Sequence, residues 1–408
     1  MTSEYKTTPG AARRALWLST IAFTLCFAVW TIFAIIGVRL KQELGLSETQ
    51  FGLLVGTPIL TGSLVRMLLG VWTARYGGRL VYTLTMLAAS LATFLLALAR
   101  TYPETILAAL GVGLAGGSFA VGVAYVSPFF PPDKQGAALG VFGAGNVGAA
   151  LTKFLAPFVL VAFGWQTVAE IWAAVLAVMA VVFWFSTEDD PAFAARKAMH
   201  AARKSFAQEF APLKNAQVWR FSLYYFFAFG GFVALSLWLP RYLIGAYGFG
   251  IEAAGMLAAA YSIPGSLFRA YGGFLSDRRG ARRVMYAMLS VAVVATAILS
   301  FPVAAPVFIA VLFALGFVMS LGKAAVYKHI PAYYPRNVGA VGGVVGMIGG
   351  LGGFVMPIIF GWLKDTTGLW QSCFMLLFAI VVVSMTLMHL SIRQMNRAAN
   401  TPSAVPAE

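Results

Sequence analysis

Twelve stretches of mostly apolar residues, each near the roughly 20 that an α-helix needs to cross a bilayer, follow one another along the chain. They fall at 16–38, 51–73, 81–99, 105–127, 138–162, 167–186, 218–240, 254–275, 284–301, 306–329, 338–362 and 372–391. Of 408 residues, 60% are apolar and only 11% charged, with a mean hydropathy of +0.82. A water-soluble chain of that composition would expose large apolar patches, so lipid must serve as its solvent. The expected fold is an all-α integral membrane protein with 12 transmembrane helices, multi-pass and in contact with the bilayer along its length.

A net charge of +15 would suggest nucleic acid as a partner for a soluble chain. Here the basic residues sit in short loops between apolar segments, which the positive-inside rule explains and a polyanion does not. With the first loop outside, nineteen Lys and Arg fall on the cytoplasmic side, from Lys6, Arg13 and Arg14 to Arg393 and Arg397, against five outside: Arg39, Lys41, Arg100, Arg241 and Lys364. Both termini are therefore expected in the cytoplasm. The first apolar run is too long for a signal-peptide core and no small-residue cleavage site follows it, so it is expected to remain as the first helix. Cys26 and Cys373 lie inside apolar runs without metal-ligand or disulfide spacing and read as packing residues. No cofactor or metal is implied, and no nucleic-acid partner. The chain is expected to be a monomer.

The one long polar stretch, 187–217, is charged and alanine-rich and divides the chain into a six-helix half at 1–186 and another at 218–408 with a short cytoplasmic tail. It is expected to be a cytoplasmic linker able to form an amphipathic helix on the inner surface. The halves repeat at an offset of 203 residues: Arg66, Gly70, Arg75, Gly77 and Arg79 return as Arg269, Gly273, Arg278, Gly280 and Arg282. Pro132, Gly136, Gly140 and Gly143 return as Pro335, Gly339, Gly343 and Gly346 at the same spacing. Duplicated halves with a site between them are a common carrier architecture.

The segment from Gly273 through Asp277, Arg278, Gly280 and Arg282 to Arg283 resembles the cytoplasmic gating motif of the major facilitator superfamily. Its first-half counterpart, Gly70 to Arg79, carries Ala74 where that family usually has an aspartate, so the N-terminal gate is expected to lack one charged latch. Arg66 and Arg269 stand one helical turn before the motif glycines, inside the membrane, where a guanidinium is costly and is by default a functional candidate. The plain alternative is an ion pair locking two helices, yet no Asp or Glu lies near the middle of any apolar segment. A small anion is then the natural counter-ion, and arginine's fork suits a planar oxyanion better than lysine's point charge.

The fifth segment runs from Gly140 through Gly143, Gly145, Asn146 and Gly148, and the eleventh from Gly339 through Gly346 to Gly353. Close helix packing explains most of these glycines. It does not call for Asn146. Together the two segments resemble the paired signatures of the nitrate/nitrite porter family, the NarK-type carriers within that superfamily. The resemblance extends over essentially the whole chain, including Phe27 to Trp30, Phe119 before Pro128 to Pro131, and Tyr225 to Phe232. It implies a site where Arg66 and Arg269 clamp nitrate or nitrite between the halves, with Phe119, Tyr225 and Phe229 as aromatic contacts, Asn146 facing the cavity, and Gly143 and Gly346 of the signatures beside it. Nitrate is planar, monovalent and weakly hydrated, so guanidinium forks and ring faces suit it. Taken alone, each of these aromatics is equally a core residue.

Lys323 lies inside the tenth apolar segment, with Lys328 and His329 near its cytoplasmic end. The last two can snorkel to the interface, whereas Lys323 lies more than a turn deeper. Lys153 falls on nearly the same helical face as Asn146 but can also reach the outer interface. Two facing arginines repel when empty, which favours obligate anion exchange. A buried lysine offers an escape, because it can release a proton when the anion leaves and regain it when the anion binds. Lys323 is therefore the leading proton-coupling candidate, with Lys328, His329 and Lys153 behind it. The chain also resembles the shorter, type I branch of the porter family, associated with proton-linked nitrate uptake. The expected function is nitrate/proton symport, or nitrate/nitrite exchange at the same site, in a bacterial cytoplasmic (inner) membrane. A sensor built on a carrier fold would need a sizeable soluble domain, which is absent from this sequence. Catalysis is not expected, since His200, His329 and His389 are scattered and no nucleophile, acid and base converge.

Overall fold

The computed structural model describes residues 9–191, 193, 215–333 and 338–400. Its helices, numbered here in chain order, are α1 (Pro9–Leu44, interrupted by a turn at Thr31), α2 (Glu48–Tyr76), α3 (Gly78–Leu98), α4 (Tyr102–Phe129), α5 (132–163) and α6 (Trp165–Ser186). The second set is α7 (Ala216–Tyr247), α8 (Ile251–Arg279), α9 (Ala281–Leu299), α10 (Ala305–Tyr333), α11 (Val338–Thr367) and α12 (Ser372–Asn400). Among the described residues, eleven of these are long and apolar enough to cross a membrane. The twelfth, α8, is 29 residues long. Arg269 and a run of small and hydroxylated residues lower its hydropathy. The proposed linker helix falls almost wholly on 192 and 194–214, outside the described residues.

Local signals set the helix starts. Ser47 and Gln50 form a reciprocal capping box at the head of α2, and Thr101 and Glu104 do the same for α4, each satisfying backbone N–H groups that have no partner within the helix. The repeat is visible in the backbone. Gly77 ends α2 at φ 90°, ψ 142° and Gly280 ends α8 at φ 85°, ψ 133°, a left-handed conformation that only glycine adopts without strain. These are the same two motif positions that the 203-residue offset pairs.

α1 and α7 form the centre, with 83% and 89% of their spanning windows buried, whereas α6 and α12 are peripheral at 39% and 33%. The outer wall is apolar: Leu84, Leu87, Leu91, Leu95 and Leu98 make an exposed stripe along α3 at helical spacing, which in a bilayer faces lipid. Cys26 and Cys373 are buried and free, as packing residues.

The two halves meet where α2 packs along α11, α5 crosses α8, and α1 touches α7. Glycines make the first contact close. A Cβ on Gly52 would stand 2.1 Å from the Pro357 carbonyl oxygen, and one on Gly361 would stand 2.1 Å from that of Glu48. At this end Glu48 is salt-bridged to Arg241, with Lys41 at 3.5 Å, and Asp365 accepts from the N–H groups of Glu48 and Thr49. At the other end the seam is slack. Cβ atoms added to Gly70, Gly140, Gly273 or Gly343 would meet nothing within 4 Å.

Candidate functional site

Between the halves lies a small cavity of about 30 Å³. Phe27, Asn146, Phe229, Phe232, Ser236, Ser262, Arg269 and Lys323 are among its lining residues, and none of the described lining residues is a carboxylate. The helices that build it are irregular at this level. Residues 144–147 of α5 tighten into a 3₁₀ turn and 226–231 of α7 widen into a π-turn; outside the lining, 113–117 of α4 form a further 3₁₀ turn beside Arg66. Such defects shift backbone and side-chain directions and recur at functional sites. Asn146 sits in one of them, its amide donating to the Gly143 carbonyl at 2.9 Å.

Arg66 rises from α2 beside the cavity. Its Nε donates to the Gly116 carbonyl at 3.3 Å, and its guanidinium lies 5.6 Å from the Trp30 ring centre. Trp30 is held in turn by its indole N–H on the Pro58 carbonyl at 2.7 Å. Across the seam, the Arg269 guanidinium lies 5.8 Å from the Tyr327 ring. Arg66 also reaches the opposite half, its Nη1 lying 3.9 Å from where a Cβ on Gly350 of α11 would stand. Tyr327 stands edge-on to Tyr225 at 4.9 Å, and Tyr225 stacks on Phe229 at 5.1 Å with the rings 5° from parallel. The α11 glycines make room for these rings: Gly349 faces Tyr225, and a Cβ on Gly346 would stand 2.6 Å from the Tyr327 hydroxyl. Gly143 has open space around it.

The structure thus gathers Arg66, Arg269, Tyr225, Phe229, Asn146 and Gly346 at one level. Phe119 is not among the described lining residues; it packs with Phe23 and Phe142 at 5.4 and 5.8 Å, and Phe23 in turn meets Phe27 of the lining. Lys323 belongs with the first group. It is 3% exposed, lies 3.2 Å from the Phe232 ring centre, donates to the Gly265 carbonyl at 3.3 Å, and feels the charge of Arg269. Lys328 points away from the cavity and is salt-bridged to Asp277, both about half exposed. His329 lines a separate small pocket with Arg282 and Tyr333, its Nδ1 donating to the Ala325 carbonyl. Lys153 is fully buried and bonded to Ser236 and Ser262.

The motif charges each hold to their own half. Arg79 donates to the Trp184 carbonyl, Arg282 to the Tyr333 hydroxyl, and Arg75 and Arg278 lie against Tyr76 and Phe274. A carboxylate does reach the N-terminal motif, from elsewhere in the chain: Asp190, just after α6, accepts from the Gly78 N–H at 3.2 Å. Sequence reasoning missed this contact, as it missed Tyr327, Ser236 and Ser262. Serine in an apolar helix usually bonds its own preceding turn, so the serines carried no signal. Tyr327 lay in the same run as Lys323 and was legible only once that helix had a register.

Twelve helices in two sixfold halves around a cavity lined by fixed cations are the build of a secondary carrier. The chain belongs to the Major Facilitator Superfamily, whose sequence profile matches residues 18–259 and 247–407, and within it to the NarK-type nitrate/nitrite porters. It is 42% identical to a probable nitrate/nitrite antiporter, NarK1, of Thermus thermophilus, over 93% of this chain and 91% of that one. It is 28% identical to the nitrite extrusion protein of Bacillus subtilis, over 91% and 92%. In fold it is similar to a bacterial homolog of the human lysosomal transporter Spinster, in an inward-facing and unoccupied conformation. The TM-score is 0.77 at 17% identity, covering 97% of this chain and 100% of the other.

Proposed function

We propose that this chain carries nitrate, and nitrite with it, across a bacterial cytoplasmic membrane by alternating access, as a nitrate/proton symporter. The observation that carries this reading is the placing of Arg66 and Arg269, one from each half, at a cavity whose described lining holds no carboxylate. An anion between them cancels their repulsion and bonds both forks, drawing the halves together. Tyr225 and Tyr327 flank that position and supply ring faces for a flat ion, the Tyr327 hydroxyl being held by the Gly342 carbonyl at 3.0 Å. The names of the relatives support nitrate or nitrite over other small anions.

Both termini and the linker at 187–217 are cytoplasmic in this reading, which sets the slack end of the seam inward and the end with Glu48 and Arg241 outward. Lys323 supplies the proton step. Beside Arg269 it can be charged while the anion is bound and neutral once the anion has gone. Exchange of nitrate for nitrite is the second reading, favoured by the antiporter name of the Thermus relative.

Empty proteoliposomes decide between the two. Nitrate uptake driven by an acid exterior is the expected result, and uptake that appears only after nitrite preloading would replace symport with exchange. Lys323→Ala is expected to abolish the pH-driven component; if it is retained, the residue assignment fails. Arg66→Lys keeps the charge and loses the fork, and nitrate affinity should fall at least about tenfold in titration of the purified protein.

A further inference from the structure

Lys153 is unlike the other cations of the seam. Arg241, the second cation that bonds across the halves, is matched to the carboxylate of Glu48. Lys153 is fully buried on α5, and its described partners are two hydroxyls of the opposite half, Ser236 on α7 and Ser262 on α8 at 2.9 Å. Those hydroxyls are 3.0 Å apart, and Ser262 also donates to the Ala258 carbonyl. No described ion pair includes Lys153. An ammonium has three N–H donors, so two neutral acceptors leave it short of both a donor's partner and a counter-charge, a costly arrangement inside a membrane protein.

Ser236 and Ser262 line the same cavity as Arg269 and Lys323. Ser262 and Arg269 are seven residues apart on α8, as Asn146 and Lys153 are on α5, which separates the two levels by about 10 Å along the helices. That spacing is enough to keep two small anions out of contact with each other. Just beyond Lys153 the passage closes, since a Cβ on Gly255 would stand 2.5 Å from Pro157 and 2.6 Å from the Lys153 carbonyl. The cavity therefore reaches the Ser236 and Ser262 hydroxyls, and the Lys153 ammonium lies directly behind them.

We propose that Lys153, Ser236 and Ser262 form a second anion subsite, taking a monovalent oxyanion such as nitrate one step beyond the arginine pair. The lysine supplies charge, and the Ser236 hydroxyl, free to turn from Ser262 toward the cavity, supplies a second donor. Because the Lys153 bonds to both serines cross between the halves, an anion that takes their place also unties α5 from α7 and α8. Occupation of the subsite thus favours opening of the end that is now shut. The inference rests on the anion-carrier reading and deepens it.

Equilibrium binding of isotopically labelled nitrate to the purified full-length protein in detergent tests it, in a buffer whose only other anion is bulky. Two classes of site are expected, the tighter one lost in Arg269→Ala and the weaker one lost in Lys153→Met. Should Lys153→Met fail to give a monodisperse protein, the double variant Ser236→Ala, Ser262→Ala keeps the cation and removes its hydroxyls. It should weaken the second class at least about tenfold, the scale of a lost charge-assisted hydrogen bond. A single class in the wild type that responds to Arg269→Ala and not to the Lys153 or serine variants overturns the subsite and leaves the carrier reading intact. No nitrate binding by folded wild type overturns both.

Discussion

The two ends of the seam between the halves are built on opposite principles. At one end α2 and α11 touch backbone to backbone through Gly52, Gly56 and Gly361, and the charges there bond across the halves. At the other end the motif charges bond within their own halves, and the glycines of α2, α5, α8 and α11 face open space. Both ends are rich in glycine, so residue type does not tell them apart. What differs is whether the missing side chain is in use now or reserved for another state. Glycines with neighbours in place seal this conformation, and on the alternating-access reading proposed above, glycines without neighbours leave room for the one in which the slack end shuts.

The largest expected effect separates these two roles. Gly52→Ala drives a methyl group into the Pro357 backbone, which cannot swing aside as a side chain would. It should cost about 3 kcal/mol and appear as a large loss of melting temperature or of folded yield. The Cβ of a Gly343→Leu side chain meets nothing within 4 Å here, so this variant should leave melting temperature and nitrate binding near wild type while transport falls at least about tenfold. Equal melting temperatures for the two variants would erase the distinction between the ends.

Next in size is the ion pair of the sealed end. Glu48→Ala leaves Arg241 and Lys41 without their carboxylate where the side chains are only 18–19% exposed. Stranding buried charge costs about 3 kcal/mol at full burial, and somewhat less at this partial exposure. The sealed state should therefore lose ground to its opposite by a factor on the order of tens. A cysteine placed at Val55, buried in this conformation, should then label much faster. Unchanged labelling would remove Glu48 from the latch. The smallest effect belongs to the slack end. Asp277 and Lys328 are 55% and 52% exposed, so Asp277→Asn should change stability by no more than about 1 kcal/mol. A larger drop in melting temperature would mean that this pair is structural.

The legibility of the fold and of the site differed for a physical reason. Helix number and the two halves depend on segment length and on a repeat, both of which survive in one dimension. The arginines were legible because a guanidinium inside an apolar run is conspicuous whatever it touches. Arg241 was not, because in an outer segment it looked like any topogenic charge. Its meaning depends on Glu48, 193 residues away. Lys153 was ambiguous for a similar reason: whether a lysine late in a helix is buried or reaches the interface depends on Ser236 and Ser262, 83 and 109 residues distant. Asp190 shows the same limit, since Ala74 announced a missing carboxylate and nothing in the local sequence announced its replacement.

A cavity that presents Arg269 and Lys323 without a lining carboxylate has a consequence at the bench. On the anion-carrier reading proposed above, its cationic walls attract whatever small anion the buffer offers, so a purified sample is not a blank receptor. Every affinity measured in chloride is a displacement constant, and it should tighten when chloride is replaced by an anion too large to enter. The choice of salt becomes part of the definition of the dissociation constant.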